Sequence, residues 1–145
     1  MKIEETIELA MKAIMTARSG VTVPVVRYRD RLTAKGDKWI DCHAMPISRM
    51  SPNHNLYRTS FELTAVSKSQ QDLRSNDIDA LVSECADEIN ETLTVATLQS
   101  AINVVDAASG ISIDGLVPTE GAESDGDYQQ FVTATDIFLT YTKPA

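Results

Sequence analysis

The stretch NLYRTSFELTAVS, 55–67, constrains the fold more than any other part of the chain. Tyr57, Thr59, Phe61, Leu63 and Ala65 lie on one face of an extended chain, and Arg58, Ser60, Glu62 and Thr64 on the other. A period of two with one apolar and one wetter side predicts a strand covered on a single face, as antiparallel pairing allows. The remaining β-rich segments are read against it. VTVPVVRYRDRL starts as a strand, but Pro24 has no amide hydrogen for a ladder, so it belongs at an edge or a strand start. AKGD reads as a turn around Gly36, and KWIDCHAMPI as a second strand closed by Pro46. SRMSPNHN is loop-like. ISIDGLVP and QQFVTATDIFLTYT also alternate, and in the second Phe131, Thr133, Thr135, Ile137, Leu139 and Tyr141 share a face. They predict the two arms of a long hairpin.

Two segments have helical spacing instead. Near the start, Ile3, Ile7, Ala10, Met11 and Ile14 form one stripe and Glu4, Glu5, Glu8 and Lys12 the other side. This predicts an amphipathic helix of about four turns, capped near Ser19-Gly20. Later, Ile78, Leu81, Val82, Cys85, Ile89 and Leu93 form a stripe with Glu84, Asp87, Glu88 and Glu91 opposite. Asn76 or Asp77 suits its N-cap. TVATLQSAINVVDAASG adds a shorter helix ended by Gly110. Helices with a one-sided stripe must cover the apolar face of the sheet. The expected fold is therefore a single two-layer α+β domain over 1–145, with a mostly antiparallel sheet of about five strands covered by two or three helices.

Composition fits that reading. The chain has 145 residues, 43% of them hydrophobic, enough to bury a core without staples. A net charge of −8 and a pI near 4.6 argue against a general nucleic-acid binder and select basic partners. Two cysteines, Cys42 and Cys85, make no disulfide framework and read as buried thiols in a reducing compartment. MKIEETIELAMKAIMTARSG is too acidic and too amphipathic for a signal peptide, and no run is long enough to span a membrane. Synthesis inside the cell is the expectation.

Candidate sites are few. TEGAESDGDYQQ, 119–130, holds Glu120, Glu123, Asp125 and Asp127. An EF-hand loop needs a glycine at its sixth position and a glutamate at its twelfth; with Gly126 sixth, Gly121 is first and Val132 twelfth, so the pattern fails at both ends. A looser divalent site, a solvated hairpin tip (119–128), and a loop ordered against a partner remain as readings. Cys42-His43 looks like a nucleophile and its base, but strand neighbours point to opposite faces. His54, the other histidine, falls in the loop-like segment. Arg27, Arg29 and Arg31 share one face of an extended chain and are candidates to meet carboxylates of another subunit, or phosphates. The acidic balance elsewhere favours the carboxylates. Trp39 is a core or rim anchor, and tryptophan is also favoured at interface hot spots. No GxSxG, Walker A, HExxH or GxGxxG occurs.

The order of elements adds a family likeness. An N-terminal amphipathic helix, strands ending in FELTAVSKS, the helix IDALVSECADEINETL and a C-terminal hairpin ending DIFLTYTKP resemble the tail terminator and tail-completion proteins of tailed bacteriophages. The likeness covers nearly the whole chain and is one of architecture, since that family has no strict motif. It implies a homo-oligomeric ring, usually a hexamer, on the head-proximal end of the tail tube. Such a ring stops tube growth and joins the tail to the neck. Its implied partners are the tail tube protein and a neck or connector protein, with DNA only passing through the lumen and no membrane. It implies a place in the virion, after synthesis in the host cytoplasm, and no catalytic residues, cofactor or metal. The candidate contacts are then Arg27, Arg29, Arg31, Trp39, Glu120, Glu123, Asp125 and Asp127. The alternatives are another neck, connector or minor capsid protein, or a small α+β enzyme or ligand-binding domain using Cys42, His43 or the acidic loop.

Overall fold

A computed structural model describes residues 2–18, 21, 23–33, 38–50, 55–67, 77–118, 122–124 and 129–142; within it, residues 31–33, 77–83, 122–124 and 129–131 are described by their backbone alone. Helix α1 spans Ile3–Thr16, followed by strand β1, Val25–Arg27, and a 3-10 helix, Tyr28–Thr33. Strands β2 (Lys38–Ala44), β3 (Ser48–Arg49) and β4 (Leu56–Ser67) come next. Helices α2 (Asp77–Thr92) and α3 (Val95–Val105) lead to β5 (Ile111–Pro118), β6 (Ala122–Ser124) and β7 (Gln129–Tyr141).

The strands form one sheet in the order β1-β2-β4-β7-β5, with β3 beside β4 and β6 beside β7. Because β3 continues the lane of β2 and β6 that of β5, the seven strand segments occupy five lanes. This is the expected α+β domain. Every pairing is antiparallel except β1 with β2, which is parallel. The alternation of β4 holds: Thr59, Phe61, Leu63 and Ala65 are buried while Arg58 is exposed. Its partner β7 repeats the pattern with Thr133, Thr135, Ile137 and Leu139. Residues directly opposite in an antiparallel pair share a face. Phe61 thus stands between Ala44 of β2 and Thr135 of β7.

The helices cover that face. From α1 come Ile3, Ile7, Ala10, Met11 and Met15, from α2 Cys85, Ala86 and Ile89, and from α3 Leu98 and Ile102. Asn90 of α2, only 1% exposed, is the polar exception. Its amide donates to the Ala134 carbonyl at 2.5 Å, and its carbonyl accepts from the Thr135 hydroxyl. A buried amide is tolerated only when so paired.

Several local expectations are corrected. α1 ends at Thr16 with Ala17 as its right-handed cap, so Gly20, outside the described residues, does not close it. Asp77 is the first residue of α2, and Asn76 lies outside the described residues. α3 stops at Val105, and Thr94 caps its start by accepting the Thr97 amide at 3.1 Å. Gly110 serves instead as the turn into β5. Its φ of +74° places an added Cβ 1.9 Å from the Thr142 carbonyl oxygen, so the position requires glycine. The expected loop SRMSPNHN contributes Ser48–Arg49 to the sheet, opposite Arg58 and Tyr57. The turn at Gly36 and His54 lie outside the described residues.

Candidate functional site

A cluster of charged residues lies where the first turns of α1 cross the β1–β2 edge. A cleft of about 490 Å³ there is lined by Lys2, Glu5, Glu8, Arg27, Arg29 and His43 among others. Glu8 is 7% exposed, and both of its oxygens are engaged. Oε1 accepts from Arg27 Nε at 3.1 Å and Nη2 at 3.0 Å, and Oε2 accepts the Ala44 amide at 2.9 Å. Glu5 Oε1 meets Arg27 at 3.5 Å and Arg29 at 3.3 Å. Glu4 Oε1 accepts the Ile47 amide at 3.1 Å. Glu8 and Glu4 thus hold the end of β2 and the segment after it, while Glu5 holds the arginines of β1 and the 3-10 helix.

This corrects two expectations. The spacing puts Glu4, Glu5 and Glu8 on the side of α1 away from its apolar stripe, yet all three reach the sheet edge. The three arginines do not share a strand face, because β1 ends at Arg27 and the chain winds into the 3-10 helix at Tyr28. In that helix side chains turn about a third of a circle per residue, so alternation is lost. Arg27, with a side chain 14% exposed, is an internal ion-pair partner rather than a projecting contact. Arg29, 64% exposed, reaches the same Glu5. The Arg31 side chain lies outside the described ones. With both oxygens accepting hydrogen bonds, one of them from the Arg27 guanidinium, the Glu8 carboxylate links α1 to β1 and β2.

Cys42 and His43 fall on opposite faces, as strand geometry requires. Cys42 is opposite Leu63 and points into the core with no exposed surface. His43 lies on the other face, stacked on Tyr28 with ring centroids 4.3 Å apart and planes 8° apart. Burial, then the negative charges of Asp41 and Glu8, push the Cys42 thiol far above its ordinary range. A thiol so shifted stays protonated at neutral pH, and the thiolate is the nucleophile. Cys42 is therefore expected to resist iodoacetamide in the native protein and to react once denaturant is added, which peptide mass mapping would follow. Rapid native labelling at neutral pH would contradict the burial.

Trp39 is also withdrawn from any contact surface. It is 6% exposed and donates its indole N–H to Asp41 Oδ1 at 3.1 Å. The acidic stretch departs from a plain hairpin loop. Ala122, Glu123 and Ser124 pair with Val132, Phe131 and Gln130, so the ladder resumes within it. Glu123 thus occupies a strand, with its side chain outside the described ones. Glu120, Asp125 and Asp127 lie outside the described residues altogether. Among the described residues, no group of three His, Cys, Asp or Glu side chains is placed to hold a metal, and no helix is long and apolar enough to cross a membrane.

The polar residues that matter most were those hardest to single out. Glu8 lies one position from the core stripe of α1, and Asn90 is an uncharged amide between the carboxylates of α2; each is a faint signal of burial. Gln99 of α3 gave none. Its side chain donates to the Ile111 carbonyl at 2.9 Å and accepts the Ile113 amide at 2.8 Å, closing the outer edge at the start of β5 as a neighbouring strand would. The chain matches no family model and no curated protein.

Proposed function

We propose that this chain is a structural virion protein that forms a ring on the head-proximal end of a phage tail tube, ending tube growth and joining the tail to the neck. The observation that carries the reading is the architecture. An N-terminal helix lies along one edge of the sheet, and the C-terminal hairpin reaches past the end of β5 through the pairing of β6 with β7. The cleft beside α1 supports a structural role, since its charges are spent on each other and on backbone amides. Capping by such a ring is physical. One face matches the last tube ring and the other does not repeat that surface, so heterologous growth stops.

One fold can serve several functions, so assembly is the property to measure. Native mass spectrometry of the full chain, alone and with tail tube protein, should find a discrete ring, with six copies as the expected number. A species that stays monomeric at high concentration, with tube protein present, would sink the reading. A ring that ignores tube protein and binds a neck component would move the chain to the neighbouring connector role.

A further inference from the structure

Two of the arginines expected to meet another subunit find carboxylate partners within the chain. Arg27 is held by Glu8, and Arg29 reaches Glu5. A different surface is left for copies of the chain to meet. Positions 92–105 contain no Asp, Glu, Lys or Arg, although the whole chain carries a net charge of −8. They span α3, whose inner side, Leu98 and Ile102, is fully buried. Its outer side shows Ala96, Ser100, Asn103 and Val104 to solvent. Val104 is 87% exposed, the highest value among the large hydrophobic side chains described. By contrast, the outer side of α2 presents Glu84, Glu88 and Glu91.

The charge pattern selects the occupant. A basic partner gains most at the acidic faces and nothing at an uncharged one. A second copy is itself acidic and is repelled wherever two charged faces approach. It meets least repulsion where no charge is present, and there it can also remove Val104 from water. The surface is rigid before contact. Thr94 caps its first turn, and Gln99 ties its middle to β5. Little ordering remains to oppose association.

We propose that the exposed face of α3 centred on Val104 is a contact between copies of this chain. The proposal rests on the ring-forming reading above and names one of its surfaces. In a ring this face meets a different patch of the next copy, so each subunit uses it once.

The test compares the full-length wild type with Val104→Glu and with Ser100→Glu, one turn away on the same face, by native mass spectrometry and sedimentation across concentration. Circular dichroism serves as the check on folding. Both variants should fold as the wild type does, because the positions are exposed, and both should need at least about tenfold more protein to assemble. Raising the ionic strength should leave wild-type assembly unchanged or strengthen it, since screening reduces repulsion between like-charged copies. Variants that assemble as readily as the wild type would overturn the α3 contact and leave the ring reading standing. So would wild-type rings that dissolve in salt, which would point to a charged contact instead. A wild type that never assembles would overturn the ring reading itself.

Discussion

Glu8→Ala is expected to lower the unfolding free energy by about 3–5 kcal/mol, the range for breaking a buried ion pair from one side. The carboxylate has two duties that alanine cannot share. It neutralises Arg27, whose side chain is 14% exposed, and it accepts the Ala44 amide at the end of β2. Truncation leaves the guanidinium with Glu5 alone, at 3.5 Å, and leaves the amide in a buried setting without its acceptor. Both are penalties of desolvation without compensation, and these exceed the net worth of the bonds themselves. For a chain of this size such a loss corresponds to a fall in melting temperature of roughly 10–16 °C. Glu8→Gln should lose less, because its carbonyl oxygen still accepts one of the bonds. Thermal melts of the two variants, with Arg27→Ala and the double variant completing a cycle, give the coupling directly. A melting point for Glu8→Ala within a degree of the wild type would mean that α1 docks through its apolar stripe alone.

Phe61→Ala should cost a similar amount, about 3–5 kcal/mol, for a different reason. Phe61 is 1% exposed at the centre of the longest pairing in the sheet. Its cross-strand neighbours, Ala44 and Thr135, are both small, so the phenyl ring fills volume that neither lane can supply. Thr135 cannot readily move into the void, because its hydroxyl is held by the buried Asn90. Removing the ring therefore leaves a cavity rather than a repacked core. Phe61→Leu, which keeps most of the volume, should lose under about 1.5 kcal/mol. Urea unfolding would show the difference as a shift in midpoint at constant slope. A loss below about 1 kcal/mol for the alanine variant would show that the sheet and α2 close over the site.

The contrast between these two residues marks how far the sequence could be read. Its place in a run of alternating residues puts Phe61 on the covered face of the strand, and the structure buries it there. The same alternation placed Thr133, Thr135, Ile137 and Leu139 on the covered face of β7, and helical spacing found the stripes of α1 and α2. Glu8 lies outside the apolar stripe of α1 and carries a charge, so spacing places it only on the polar side of the helix. Periodicity reports which residues are apolar and at what interval. It contains nothing about an arginine nineteen positions away or an amide thirty-six away that will meet a carboxylate.

The same division explains the candidate contacts. Arg27, Arg29 and Arg31 share one face only if the extended chain continues, and the 3-10 helix at Tyr28 ends it. Trp39, a possible interface anchor by residue type, was withdrawn into the fold beside Asp41. The separation of Cys42 from His43, by contrast, followed from strand geometry alone, because adjacent residues on any strand face opposite ways. Gln99 carries no sequence signal of its role, which exists only because β5 lies beside α3.

By itself, then, the sequence determined the type and order of the main elements, the covered face of each long strand, and the neutrality of α3 in an acidic chain. These depend on local spacing and composition, which the chain carries in any context. Only the tertiary structure decided that the glutamates of α1 turn inward, that Arg27 is spent inside the chain, that β3 and β6 extend two lanes of the sheet, and that Val104 stands exposed. Each of these depends on which distant groups share a low-dielectric space, and a charged or polar group takes its role from the partner it finds there.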